Sequence, residues 1–285
     1  MLATSKALVH TVYPYQYSSL RRLLEPRRFQ AYCLGTNKSG THSIASLFAK
    51  HYKATHEEAH GSLINGFLDW QAGELNANEF QTMLLKHNKY AWLEMDSSHV
   101  HIEYVELLVK LFPQAKFILT IRDCYSWLDS YLNHSLNYPL YQAWARLNNW
   151  RYGRSNFSYS TAETPLREAG FYPLENYFSA WTAHNQRALD TIPPERLLVL
   201  RTFDIAKSID CIANFLKIPA NTLDTQRSHS FQAPKKHYLL AQIDADCILE
   251  KAEKHCGKLM TQFFDDQDYL ELLLSKAPNL SEIQS

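Results

Sequence analysis

Hydrophobic positions along this chain fall into two rhythms. Short unbroken apolar runs mark strands buried on both faces, and longer stretches with apolar residues every three or four positions mark helices. Phe29, Ala31, Tyr32, Cys33 and Leu34 form the first run. Gly35 to Thr41 is small and polar, and Ser43 to Lys50 then reads as a helix with Ile44, Leu47 and Phe48 on one face. A short second strand ends near Thr55, leaving His56, Glu57 and Glu58 at its C-terminal end. Residues 61 to 89 read as helical on either side of a G-E-L-N-A-N break. Tyr90 to Met95 reads as a third strand ending in Asp96-Ser97-Ser98, where either serine can cap a helix through Tyr104, Leu107, Leu108 and Leu111.

Lys116 to Ile121 (K-F-I-L-T-I) is the clearest strand, closed by Arg122-Asp123 and followed by a helix carrying Trp127, Ser130 and Tyr131. A helix through Trp181 and Leu189 stops at Pro193-Pro194. Arg196 to Leu200 is a further buried strand ending in Arg201, and Ile209 to Leu216 an amphipathic helix. Strands alternate with helices throughout. The expected fold class is therefore α/β, three-layer, with a mostly parallel central sheet flanked by helices and a phosphate-binding strand-loop-helix. One domain over residues 1–285 is expected. It would carry a basic N-terminal arm (1–28), an aromatic-rich insertion (133–180) over the sheet's ligand end, and a C-terminal loop and helices (225–285). The insertion is a candidate acceptor pocket, although packing alone accounts for many of its aromatics.

Composition narrows the partners. The 285 residues are 46% hydrophobic and 20% charged with zero formal net charge, which describes a globular chain and gives no general argument for nucleic acid. Five cysteines without a C-x-x-C pair read as reduced thiols. No window has the length and apolarity of a signal core or a membrane span. The expectation is a soluble, cytoplasmic protein with no membrane partner.

The chemistry concentrates on L-G-T-N-K-S-G-T-H-S, residues 34 to 43. A strand, a small-residue loop and a helix N-terminus together make an anion site, because backbone N–H groups and the helix dipole favour negative charge. Gly35 and Gly40 have the glycine spacing of a Walker A loop, G-x-x-x-x-G-K-[ST]. Thr41 stands where that motif has lysine and His42 where it has the metal-ligating hydroxyl, while the lysine has moved into the loop as Lys38. Such a loop suits an anion held without an obligatory metal.

These residues resemble the 5′-phosphosulfate loop of sulfotransferases that use 3′-phosphoadenosine 5′-phosphosulfate (PAPS). A second signature of that family is a strand ending in Arg with Ser eight residues on, which Arg122 and Ser130 match; Cys124 stands where the family usually has Pro. L-L-V-L-R-T-F-D and the helix running from Ile212 to Pro219 resemble its downstream strand and helix. The resemblance spans about Phe29 to Pro219. It implies PAPS as co-substrate, held by Lys38, Ser39, Gly40, Thr41, His42 and Ser43 at the 5′ end and by Arg122 and Ser130 at the 3′-phosphate. Lys235 and Lys236 lie in the basic segment that closes over the cofactor in that family. Lys38 would also meet charge developing on the leaving oxygen.

A sulfuryl acceptor also needs a base. Glu57 matches the position of a catalytic Glu in many carbohydrate and bacterial sulfotransferases. Asp96 and His99 stand roughly where the cytosolic small-molecule branch has a catalytic His. A Glu would need its pKa raised by burial, whereas a His would act near neutral pH unaided. His99-x-His101 is too sparse for a metal pair. The expected function is sulfuryl transfer from PAPS to a hydroxyl or amine of a small-molecule acceptor, a secondary metabolite or sugar, with a glycan as the alternative acceptor and a homodimer left open. The competing readings are a P-loop kinase or NTPase, with Asp96 as its metal carboxylate, and a non-catalytic nucleotide-binding protein.

Overall fold

A computed structural model describes residues 26–57, 60–139, 141–225, 235–266 and 268–276. Five strands form one sheet: β1 (Ala31–Cys33), β2 (Ala54–His56), β3 (Met95–Ser97), β4 (Lys116–Ile121) and β5 (Leu197–Arg201). All pair in parallel, in the order β2-β3-β1-β4-β5. The expected α/β sheet is therefore present, and among the described residues its strands are all parallel. The chain leaves β1 for the β2 edge, returns through β3, and crosses to the other side for β4 and β5. The topological switch lies at β1, and the C-terminal ends beside it are where an open α/β sheet binds ligands.

The strands sort their side chains by alternation. Cys33, Met95, Ile118 and Leu200 face α1 (Thr41–Phe48), packing against Ile44, Leu47 and Phe48; on the same side α9 (Ile209–Leu216) contributes Ile212 and Leu216. Tyr32, Leu34, Phe117 and Leu119 face the other way. They pack with α2 (His60–Gln71), α3 (Ala77–Ala91), α4 (Val105–Leu111) and part of α8 (Leu174–Thr191). A third cluster joins α5 (Cys124–Asn137) and α8 to α10 (Ala245–Phe263) and α11 (Tyr269–Leu274) through Trp127, Tyr131, Trp181, Leu259 and Leu270.

Two boundaries differ from the sequence reading. Tyr90 and Ala91 end α3 and do not begin a strand. Asn76 and Glu79 form a capping box that starts α3, its ladder runs through Tyr90, and Trp92 ends it in the left-handed region at φ 50°. β3 then starts only at Met95. Helix α1 begins at Thr41, inside the stretch read as loop. The 133–180 segment folds as the end of α5, α6 (Gln142–Tyr152), α7 (Thr164–Glu168) and the start of α8. Tyr152, Leu166, Tyr177 and Phe178 pack into the third cluster, so packing claims much of this aromatic stretch.

Of the N-terminal arm, Arg21 and Arg22 lie outside the described residues. Arg27 bonds the side chain and carbonyl of Asn88, and Arg28 bonds the fully buried Glu94 through Nε at 2.8 Å. All five cysteines are free thiols. No helix among the described residues is long and apolar enough to cross a membrane.

Gly35 has no room for a side chain: an added Cβ would lie 2.0 Å from Thr120 Oγ1 and 2.4 Å from the Thr120 carbonyl oxygen. The second contact is to a backbone of the central sheet, which cannot yield. Gly35→Ala is expected to destabilise the fold by about 3 kcal/mol, at the upper end of overpacking costs, read as a lower urea midpoint with unchanged slope.

Candidate active site

The loop between β1 and α1 is tied down from below and left open above. Ser39, fully buried, donates its hydroxyl to the Thr36 carbonyl at 2.6 Å and lies 3.1 Å from Thr120 Oγ1 on β4, while its N–H also goes to Thr36 O. Thr202, just past β5, donates to the Ser39 carbonyl at 2.6 Å. Ser39 thus directs both its hydroxyl and its N–H to the Thr36 carbonyl inside the loop. Gly40 sits at φ 101° and caps α1 with no side-chain bond, leaving an open helix terminus of the kind that binds anions. Thr41 shares a 3.1 Å hydrogen bond with His56 Nε2, and His42 lies edge-on to the His56 ring. Ser43 follows in the same first turn, half-buried.

Lys38 and Glu57 both adopt the left-handed conformation, at φ 66° and φ 61°. That is strained for residues with a Cβ, and such strain clusters at functional sites. Glu57 follows β2 and donates its N–H to Ser97 O at 2.8 Å. Burial lowers the Lys38 pKa to about 8; the Arg122 charge pushes the same way and Glu57 opposes it. Lys38 therefore lies within the field of both groups and remains the cation of the loop near neutral pH.

Arg122 closes β4 and is half-buried. Its Nε donates to Ser126 Oγ at 2.9 Å and Nη1 to the Lys38 carbonyl at 3.2 Å, joining the two predicted anion contacts. Among the described residues no hydrogen bond engages its Nη2. The acids whose charge acts on Arg122 are Asp123, which accepts from Ser126, and Asp129, which accepts from Asn133. Ser130 stands two turns along α5. Beyond it, Asn137 Nδ2 donates to the Lys235 carbonyl and the His237 N–H to Asn133 Oδ1, laying residues 235–237 along the same helix. Both Lys236 and Arg122 draw down the otherwise raised pKa of Asp129, so their positive charge converges beside Ser130. Residues 226–234 of the closing loop lie outside the described residues, as does Glu58.

The three candidate bases separate clearly. Asp96 corrects the sequence reading: alternation along β3 turns it to the Tyr32 face, away from Ser97, whose hydroxyl bonds the Thr41 carbonyl. It lies 3.0 Å from His87 Nε2 and 3.1 Å from His101 Nε2, and these partners hold its pKa down against a large burial penalty. It is a buried structural acid, placed neither as a base nor as the metal carboxylate of a kinase. His101 is thereby turned away from His99. Among the described residues no three His, Cys, Asp or Glu side chains group as a metal site.

His99 stays beside Glu57 but is not basic where it faces the site. Arg151, on α6, donates through Nη1 to His99 Nδ1 at 2.6 Å and through Nη2 to the His99 carbonyl at 2.9 Å. A guanidinium only donates, so Nδ1 must carry the lone pair, and the neutral ring has its proton on Nε2. That Nε2 lies 3.4 Å from Glu57 Oε1, and His56 Nε2 lies 3.7 Å from the same oxygen. Burial, with Arg151 next in size, holds the His99 pKa well below its ordinary value, contrary to the expectation of a histidine working unaided near neutrality. Arg151 in turn bonds Glu103 at 2.5 Å. Arg151 escaped the sequence reading; its one signal was a cation set inside the aromatic run N-W-R-Y.

A parallel sheet with an open helix terminus, a loop lysine and a second cationic anchor past β4 defines a P-loop-like anion-handling α/β protein. The model of the sulfotransferase domain matches residues 30–224, and the chain belongs to that family. Among solved structures it is similar to a sulfotransferase from Alicyclobacillus acidocaldarius at 16% identity and TM-score 0.42, covering 90% of this chain and 99% of that one. It is also similar to sulfotransferase STF9 from Mycobacterium avium, at 16% identity and TM-score 0.45, covering 86% of this chain and 79% of that one. A third similarity is to the sulfotransferase domain of the Synechococcus PCC 7002 olefin synthase, at 15% identity and TM-score 0.39, covering 86% and 91%. None of the curated proteins compared with the chain matches it.

The electrostatics of the loop give a signed test. Arg122→Gln is expected to raise the Lys38 pKa from about 8 toward its ordinary value, and Glu57→Gln to lower it further. A titration of the lysine side-chain NMR resonances distinguishes the two directions.

Proposed function

We propose that this sulfotransferase takes its sulfuryl group from PAPS and delivers it to a hydroxyl of a small-molecule acceptor, with Glu57 as the base. The observation that carries the donor is the pair of cationic anchors joined by the Arg122–Lys38 carbonyl bond. The open terminus of α1 with Lys38, Thr41, His42 and Ser43 suits the 5′-phosphosulfate end. The fork of Arg122, with Ser130 and Lys236, suits the 3′-phosphate. Lys235 and Lys236 are both exposed on the segment 235–237.

In the reaction the acceptor oxygen forms a bond to sulfur while the bond from sulfur to the bridging phosphate oxygen breaks. The acceptor's proton passes to Glu57, and the electron pair stays with the departing phosphate oxygen, where Lys38 meets the new charge. His99 fits a positioning role. With its Nε2 proton turned to Glu57 and its Nδ1 occupied by Arg151, it orients the carboxylate and has no open lone pair for the acceptor. Lys38 must be protonated to hold an anion, so donor affinity falls as pH rises through about 8.

Glu57→Gln is expected to lower kcat for sulfate transfer by roughly 10²–10⁴-fold, the usual worth of a general base, while at about pH 6, where Lys38 stays protonated in both proteins, adenosine 3′,5′-bisphosphate binds within about twofold of wild type. His99→Gln is expected to cost roughly tenfold, the lower range for a supporting contact. The reverse ranking, with His99→Gln inactive and Glu57→Gln active, would assign the base to histidine. Initial rates with labelled PAPS and calorimetry with the bisphosphate make the comparison.

A further inference from the structure

A cavity of about 210 Å³ opens beside the reacting centre on the α8 side of the sheet. Its rim includes Thr36 and Asn37, the two residues before Lys38, and Arg151, which holds His99 against Glu57. The walls are aromatic: Trp127 from α5, Trp150 and Tyr152 from α6, and Trp181 from α8. Two of these indoles are already fixed by hydrogen bonds, Trp127 Nε1 to the Asn37 carbonyl at 2.9 Å and Trp181 Nε1 to the Arg122 carbonyl at 3.1 Å. These two indoles and Tyr152 are buried side chains that back the cavity on a rigid frame, and Trp150 is the partly exposed ring of the lining.

The charge lining this cavity is unbalanced. Three guanidinium groups, Arg151, Arg154 and Arg187, face one carboxylate, Glu103. Arg151 bonds Glu103, and Arg187 is taken by Glu106 through two bonds of 2.8 and 2.7 Å. Arg154 is different. Its guanidinium lies 4.6 Å over the Trp150 ring, and among the described residues no carboxylate pairs with it. Of the other titratable groups of the lining, His184 gives its Nε2 proton to the Leu34 carbonyl at 2.7 Å and stays neutral, its pKa lowered to about 3 by burial, and burial raises the pKa of the Tyr152 phenol so that it too is neutral. The lining therefore offers the ring of Trp150 and, among the described residues, one exposed cation without an acidic partner.

We infer that this cavity is the acceptor pocket and that it takes a single-ring phenol bearing an acidic substituent. The ring lies against Trp150, the acid meets Arg154, and the phenolic hydroxyl points toward Glu57. Size supports one ring: an apolar cavity of roughly 150 Å³ holds benzene, and the present one has room for a ring with two short substituents. The sign follows from Arg154, because a guanidinium on an aromatic face binds a carboxylate or sulfonate and repels an ammonium. The acceptor role rests on the sulfuryl-transfer reading; the preference for an acid rests on the lining alone.

Calorimetry on the full chain without donor separates the two. The probes are 4-hydroxyphenylacetate, the neutral 4-hydroxyphenethyl alcohol and the cationic tyramine, which share one ring and spacer. The acid is expected to bind about tenfold more tightly than the alcohol, the worth of one charge-assisted hydrogen bond, and tyramine most weakly. Arg154→Gln, an exposed site, is expected to bring acid and alcohol within about twofold, and Arg154→Lys to keep most of the preference. Equal binding of acid and alcohol, a preference for tyramine, or a ratio unmoved by Arg154→Gln overturns the inference. Rates with PAPS then test the acceptor role. Sulfation of the acid with a kcat/KM ratio that follows the binding ratio supports it. An acid that binds but is never sulfated, in protein that binds adenosine 3′,5′-bisphosphate, overturns the acceptor role. Failure to bind the bisphosphate instead overturns the donor reading, and the acid-to-alcohol ratio still judges the cavity.

Discussion

The contact between the loop and β4 is the constraint on which the site depends. Gly35 lies so close to Thr120 that no side chain fits, and the Ser39 hydroxyl is wedged between the Thr36 carbonyl and the same threonine. Thr202 fastens the loop from the β5 side, and Ser97 fastens the start of α1 from β3. Four parallel strands therefore set the position of one small loop. With Ser39 tied down below, the loop holds Lys38 at a positive φ and leaves the terminus of α1 without a side-chain cap, an arrangement that stores strain beside the cationic groups.

From that anchored loop two lines of polar contacts run outward. One leads through the Lys38 carbonyl to Arg122 and along α5 to Ser130 and Lys236, gathering positive charge at a distance from the loop. The other leads from Glu57 through His99 to Arg151 and Glu103. Here the direction of each hydrogen bond matters more than its length. A guanidinium that can only donate fixes the tautomer of a buried histidine, and the histidine then presents a proton to Glu57. A single residue on α6 thus decides which neighbour of the loop retains a usable lone pair. The same arginine lines the cavity beside α8, so the orientation of Glu57 and the shape of that cavity are coupled through it.

Much of this was legible in the chain. The β4 run K-F-I-L-T-I, the displaced lysine of the loop, and the Arg122–Ser130 spacing are local patterns whose physics does not depend on the rest of the fold. They were read in place. The strand at Tyr90–Met95 was not, because an apolar run that ends a helix looks the same as one that begins a strand until the capping box upstream is given its full ladder. Ser39 was read as a cofactor contact together with its loop neighbours; only the closeness of β4 shows that its hydroxyl points inward.

The sequence by itself determined that a parallel sheet would carry an anion loop at one strand end, with a lysine inside the loop and an arginine after a later strand, because periodicity, glycine spacing and charge are properties of short segments. Tertiary structure alone decided the fates of Asp96, His99 and Glu57. One residue of alternation sends Asp96 to the opposite face of β3, between His87 and His101. His99 loses its basic nitrogen to Arg151, a residue 52 positions away in the chain. Glu57 is left facing the loop with two histidines beside it. Those outcomes depend on which side of a sheet a residue faces and on which donor arrives from a distant helix, and neither is encoded in the residues around them.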